Sequence, residues 1–429
     1  MSEYFKRTPL GEEIFFSSVR DPKFKHNSIT VNFLIPLEEE KAAGRAVIPF
    51  LLCRGSRQHP DFTQLEQTLC RLYGADLDGD VSQYGEYQIL SCSISSVDDR
   101  FALDGEAITD RCARLLGEIV LDPRIEDGAF PEEEVRLERQ NLMDTIEAEV
   151  NEKRTYAINQ CRREMSRGTR LAVNKYGTVK AAGAITPQSA ARDYRELTSA
   201  ARVEIIFVGC GDPEPVRQVF EGLFAGIRRQ PVRHAPQPLA EQAGDPRRKV
   251  EHMDVVQSKL VLGMRPGALP DKRAIDAVRL MAYLYGGAPF ALLFQNVREK
   301  MSLCYYCAAR FDPSAGILMV DTGLEQSKRQ QAETAILDQL GAIARGDFEA
   351  ETLEAAKLAY TNSLGSVGDS LGAVENWCMT RILEGANYSP EDEAADIRAI
   401  TAREVAQAAG RATLDTVYFL TGKEGTSHE

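Results

Sequence analysis

Histidine is scarce in this chain and never paired. The five, His26, His59, His234, His252 and His428, include no two within five positions of each other. No helix face can therefore offer two imidazoles one turn apart to a single metal ion. Long apolar runs are also missing: none approaches the roughly 18 residues of a membrane span. The N-terminal Met-Ser-Glu-Tyr-Phe-Lys-Arg lacks the apolar core of a signal peptide, so the expected location is the cytoplasm, with no membrane partner. Positive charge is in deficit, 51 Lys and Arg against 64 Asp and Glu for a net charge of −13. That balance argues against nucleic acid, whose phosphates require a basic surface. A Gly-x-Ser-x-Gly elbow is absent, which removes the best-marked serine hydrolase option.

The nine cysteines are odd in number and scattered. In a chain large enough to need no staples they read as reduced thiols. Cys304 and Cys307 have the spacing of a redox or zinc pair, but positions three apart on a strand face opposite ways, so two buried thiols that do not meet are expected. Val208-Gly-Cys-Gly-Asp212 resembles a phosphate-binding turn without its third Gly and Lys. The similar Thr421-Gly-Lys-Glu-Gly425 points to a structural turn at both places. Pro131-Glu-Glu-Glu places negative charge at a helix N-terminus, where the helix dipole favours it, and Trp377 reads as a core residue.

What is present describes a globular protein: 43% hydrophobic and 27% charged residues in 429, too long for one ordinary core and suited to two domains of about 200 residues each. The strand-like run 26–37 has a counterpart at 255–267. Phe130-Pro-Glu-Glu-Glu-Val and its helix to about Val150 are echoed by Phe348-Glu-Ala-Glu-Thr-Leu and a helix through Leu364. Val203-Glu-Ile-Ile-Phe-Val-Gly and Val417-Tyr-Phe-Leu-Thr-Gly close the series. The pairs keep their order and lie about 215 to 230 residues apart, as a duplicated unit would place them. Residues 1–229 and 250–429 are the expected domains, and the Pro-rich, polar 230–249 is the linker. Apolar helices at 104–120, 132–150, 272–285 and 330–344 would be buried by packing on antiparallel sheets.

The run Phe290 to Phe311 carries the most specific signal. Phe290, Leu293, Phe294 and Val297 have the i, i+3, i+4, i+7 spacing of an amphipathic helix, and the stretch from Leu303 is short, aromatic and free of Gly and Pro, as a strand would be. Arg298 then ends a helix and Tyr305 starts a strand. Alone, these residues are equally readable as a helix-terminal cation and a core aromatic. Together with Gly286-Gly287, Leu293-Phe294, Arg298-Glu299-Lys300 and Leu303, the segment resembles the second-half signature of the pitrilysin/insulinase family of zinc peptidases. The resemblance covers nearly the whole chain and implies that Arg298 and Tyr305 contact a peptide substrate. It also implies an α+β fold of two tandem homologous domains, each an antiparallel sheet with helices packed on one face, of the mitochondrial-processing-peptidase type.

Active members of that family carry His-x-x-Glu-His on a first-half helix and a third carboxylate ligand from a later one. Counting back from Arg54-Gly55-Ser56, which matches the tail of the motif, the histidine positions fall on Ala46 and Phe50 and the general-base position on Pro49. Ala and Phe carry no lone pair for zinc, and Pro has no carboxylate to take a proton from water. On the acidic helix Glu138 matches the supporting glutamate and Thr145 the third ligand, with Asp144 one residue away. Pro49 inside a helix forces a kink or a restart. No metal or other cofactor is expected.

The resemblance thus implies a catalytically incompetent half-size subunit that pairs with a zinc-bearing homologue, Arg298 and Tyr305 contributing peptide contacts. Two alternatives remain open at this level: a stand-alone peptide holder that forms a homodimer, and a purely architectural subunit.

Overall fold

The computed structural model describes residues 3–235 and 237–422, so His428 and the Lys423 to Gly425 part of the second glycine turn lie outside the described residues. The chain resolves into two compact units, Met1–Glu147 with Val173–Pro236 and Val367–Ser389, and Ala148–Ala172 with Gln237–Ser366 and Pro390–Glu429.

The first unit is built on β1 (Lys6–Gly11), β2 (Ile14–Arg20), β3 (His26–Pro36), β4 (Asp76–Tyr84), β5 (Tyr87–Val97) and β6 (Arg202–Gly209), in the order β1-β2-β6-β3-β5-β4. The second is built on β7 (Arg247–His252), β8 (Ser258–Arg265), β9 (Tyr306–Asp312), β10 (Ile317–Leu324) and β11 (Thr413–Thr421), in the order β7-β11-β8-β10-β9. Without β1, the first order becomes the second. The sheets are mixed, where all-antiparallel sheets were expected, because β2 pairs parallel with β6 and β7 pairs parallel with β11. In each unit the last strand returns over a long connection and inserts between two earlier strands, β6 between β2 and β3 and β11 between β7 and β8, and a connection of that kind permits a parallel pair.

Side chains alternate across each sheet. Val31, Phe33, Val203, Ile205 and Phe207 enter a core with the helices Ile108–Leu121 and Pro213–Phe224, while Leu34, Ile206 and Val208 face the other way. That second face carries a helix too, contrary to the expectation of helices on one face only. Val374, Cys378 and Ile382 of Leu371–Leu383, spaced i, i+4, i+8, cover it. In the second unit Ala157, Cys161 and Met165 of Lys153–Met165, at the same spacing, cover Val261, Ile317, Tyr418 and Leu420. Gly263 on β8 allows this approach, since a Cβ there would collide with the Met165 thioether. The halves 1–229 and 250–429 therefore each lend one helix to the other unit's sheet. The physical reason is visible in β6, whose continuous run Val203 to Val208 is buried on both faces and needs a cover on each. Trp377 on Leu371–Leu383 is half-buried, not a core residue: its Nε1–H donates to the Tyr388 carbonyl at 3.0 Å.

The expected long helices are present at Ile108–Leu121, Glu132–Ala148, Lys272–Gly286 and Arg329–Arg345. Among the described residues no helix is long and apolar enough to cross a membrane.

Candidate functional site

The helix expected to carry the zinc motif is two short helices, Ala42–Ala46 and Ile48–Leu52, that meet at Val47. Pro49 sits in the first turn of the second, where its missing N–H costs nothing. The restart packs tightly on β4, since a Cβ at Gly79 would lie 2.9 Å from the Pro49 carbonyl carbon. Ala46 belongs to the first unit's core and Phe50 packs against it, with Pro49 buried between them. These three positions now serve packing.

Glu132, Glu133 and Glu134 occupy the first turn of Glu132–Ala148, where the dipole favours them. Further along, Glu138 is buried and accepts from Arg54 Nε at 2.6 Å and from Asn141 Nδ2 at 3.1 Å. A buried carboxylate requires a positive partner, and Arg54 supplies it. Thr145 is exposed and its hydroxyl donates to the Asn141 carbonyl at 2.8 Å. Asp144 accepts from Gln140 Nε2 at 2.8 Å. The donor set does not fit zinc: three of the matched positions have no suitable atom, a fourth spends its hydroxyl on the backbone, and the neighbouring glutamate is bound to an arginine. Among the described residues no three His, Cys, Asp or Glu side chains are grouped so as to hold a metal ion.

Ser56, His59 and Glu118 do meet. The Ser56 hydroxyl donates to Glu118 Oε1, and His59 Nδ1 lies 2.9 Å from the same oxygen and 3.4 Å from Ser56 Oγ. A serine nucleophile needs its base through one ring nitrogen and the acid on the other. Here both partners converge on Nδ1, and the Ser56 oxygen also accepts the His59 backbone N–H at 2.9 Å, which makes the cluster a loop fastener. The phosphate-like turn is likewise occupied by the protein itself: Asn27 Oδ1 accepts the N–H groups of Cys210 and Gly211, both at 3.0 Å, and Asp212 caps the next helix through the Glu214 N–H at 3.0 Å.

In the second unit, Leu293–Lys300 is a π-helix where an α-helix was expected. The Met301 N–H donates five residues back, to the Asn296 carbonyl at 3.0 Å, as π winding requires. Turns of this kind are rare and collect at functional sites. Arg298 stands in its last turn, 4.4 Å over the Phe294 ring, with its side chain 38% exposed and 3.3 Å from Glu299. Tyr305 is 57% exposed. Its backbone N–H donates to the Gly323 carbonyl at 2.9 Å, just ahead of β9. Gly286 lets the preceding helix reach this strand, because a Cβ there would fall 2.5 Å from the Ala309 nitrogen. The structure brings Arg298 and Tyr305 onto one short connection, both presenting polar ends to solvent.

Cys304 and Cys307, expected as two buried thiols, differ in burial: Cys307 lies in the core, and Cys304, which precedes the strand, is half-buried against the same core. The Arg54–Glu138 pair and the Asn27 amide also escaped sequence reading, since nothing local marks a pairing between residues 84 and 183 positions apart.

Among the described residues, then, no group of side chains could hold a catalytic metal. Comparison with known proteins carries this further. Residues 184–360 match the model of the peptidase M16 inactive domain. A probable inactive metalloprotease YmfF of Bacillus subtilis (strain 168) is 27% identical over 409 residues, 95% of this chain and 96% of that protein. The crystal structure of a conserved protein from Enterococcus faecalis V583 superposes with a TM-score of 0.89 at 25% identity, over 99% of this chain and 100% of that one. A protease from Helicobacter pylori shares the fold at a TM-score of 0.79 and 14% identity, over 98% of this chain and 99% of that one. Residues 184–360 thus match an inactive domain of the M16, or pitrilysin/insulinase, peptidase type, and along nearly its whole length the chain is similar to a probable inactive metalloprotease.

Proposed function

We propose that the protein is the peptide-gripping, non-catalytic partner of a zinc-bearing homologue. The observation that carries this reading is the contrast between two sets of residues. Ala46, Pro49 and Phe50 have been absorbed into packing, whereas Tyr305 is exposed and Arg298 half-exposed on a rare helical turn and its exit. A tyrosine kept for packing would bury its ring; the Tyr305 hydroxyl has no hydrogen-bond partner among the described residues. In this reading the guanidinium of Arg298 donates to a peptide carbonyl and the Tyr305 hydroxyl adds a second donor where negative charge develops during cleavage by the partner. The strand order that the two sheets share once β1 is set aside supports two homologous halves, 1–229 and 250–429, joined through 230–249, in the manner of mitochondrial processing peptidase subunits.

Co-expression with a zinc-bearing homologue tests the reading. The purified pair should cleave a fluorogenic mixed-sequence peptide pool, and Arg298→Ala should lower turnover on the order of 100-fold, the usual effect of removing one donor aimed at developing charge. Unchanged turnover in the variant would refute the peptide-contact role, and failure of the two chains to associate would refute the pairing.

A further inference from the structure

Two acidic residues of the helix Arg329–Arg345 meet different fates. Glu333 is buried and bound by the Arg248 guanidinium at 2.6 and 3.0 Å. Asp338 is exposed, and the positions three and four residues from it, where a helical ion pair would form, hold Thr334, Ala335, Gly341 and Ala342. Among the described residues its carboxylate has no ion-pair or hydrogen-bond partner.

Asp338 lines a cavity of about 430 Å³ between this helix and the connection that follows Arg298, a volume within the range of ligand pockets. Gln330, Thr334 and Asp338, one turn apart, form a polar stripe along the helix, and Ala335, Met301 and Leu303 supply apolar surface. Met301 is 50% exposed. It and Leu303 belong to the segment between Arg298 and Tyr305, so the cavity opens beside those two residues. The cations nearby are engaged elsewhere. Arg298 lies over Phe294 and beside Glu299, and Lys328 Nζ donates to the Ser302 carbonyl at 3.1 Å and lies 3.7 Å from Glu325. The lining itself contains no cation.

We propose that this cavity is a side-chain subsite for a lysine or arginine of the peptide held at Arg298 and Tyr305, with Asp338 as the counter-ion. The inference rests on the peptide-gripping reading and names the peptides that the grip favours. The aliphatic stem lies along Met301, Leu303 and Ala335, and the charged end reaches Asp338, with Gln330 and Thr334 accepting its remaining N–H groups. Long basic side chains divide in this way between apolar surface and a polar end. An acidic side chain would meet the Asp338 carboxylate with no cation in the lining to offset it. An apolar side chain would fill the stem's place and gain nothing from the charge.

The test uses the full chain and three fluorescein-labelled peptide pools, identical except that one central position is lysine, norleucine or glutamate, every other position being drawn from uncharged residues. By anisotropy the lysine pool should bind about fivefold more tightly than the norleucine pool, the upper end for a partly exposed ion pair, and the glutamate pool most weakly. Added salt should shrink the lysine advantage. Asp338→Asn should make the lysine and norleucine pools equal, and Asp338→Lys should turn the preference toward glutamate; circular dichroism checks that both variants fold. Arg298→Ala should weaken all three pools by a similar factor. Equal binding of the lysine and norleucine pools, or a lysine advantage that survives Asp338→Asn, would overturn the subsite and leave the peptide grip standing. Binding of none of the three pools would overturn both.

Discussion

Asn27 uses every hydrogen-bonding position of its amide. Its oxygen accepts from Cys210 and Gly211 and its nitrogen donates to Asp98 Oδ2 and Thr109 Oγ1, each at 2.9 Å. Asn27→Ala would strand two backbone N–H groups, each such loss costing about 1–3 kcal/mol, and leave the Asp98 carboxylate with Arg100 alone of its two side-chain donors. A clear drop in the urea midpoint is therefore expected, with little change in any peptide binding. Gly209 belongs to the same device, because a Cβ there would collide with Asn27 Oδ1. Gly209→Ala should destabilise both the wild type and the Asn27→Ala background, less in the second, because the Asn27 Cα would still lie 2.8 Å from the new Cβ once the amide is gone; a double-mutant cycle measures the difference. At this scale the sequence was legible where chemistry resides in the residue itself. An alanine at a ligand position excludes a metal whatever its surroundings. It was illegible where meaning depends on a distant partner, as for Asn27, or on the residue's place just outside a strand, as for Cys304.

The covering helices show what an element adds. Leu371–Leu383 brings Glu375 to the second face of the first sheet, and burial pushes this carboxyl up to about 7 from an ordinary 4.5. Between those two values the folded protein holds a proton that the unfolded chain has released, so stability falls as pH rises through this window and the loss is complete above it. Glu375→Gln should raise stability at pH 8 by up to about 3 kcal/mol, leave pH 4.5 nearly unchanged, and flatten the profile between them in urea titrations. Apolar periodicity made the long helices readable, with ends displaced by a few residues. Periodicity does not reveal which sheet a helix will cover, and the spacing of Phe290, Leu293, Phe294 and Val297 does not distinguish α from π winding. The Met301 hydrogen bond to Asn296, five residues back, does.

At the scale of the whole molecule, the paired echoes in the sequence correspond to β3 with β8, Glu132–Ala148 with Ala350–Gly365, and β6 with β11. The parallel strand pairs and the exchange of helices between halves came only with the three-dimensional structure, because both depend on residues far apart in the chain. The central proposal is that this scaffold grips peptides, while its described residues group no side chains able to hold a metal. The most direct measurement titrates a fluorescein-labelled mixed-sequence peptide pool into the purified, chelator-treated chain by anisotropy, adds zinc, and recovers the peptides for mass analysis. The account predicts saturable binding that Arg298→Ala weakens and zinc leaves unchanged, with every peptide recovered intact. Cleavage that begins on adding zinc and stops with chelator would contradict it.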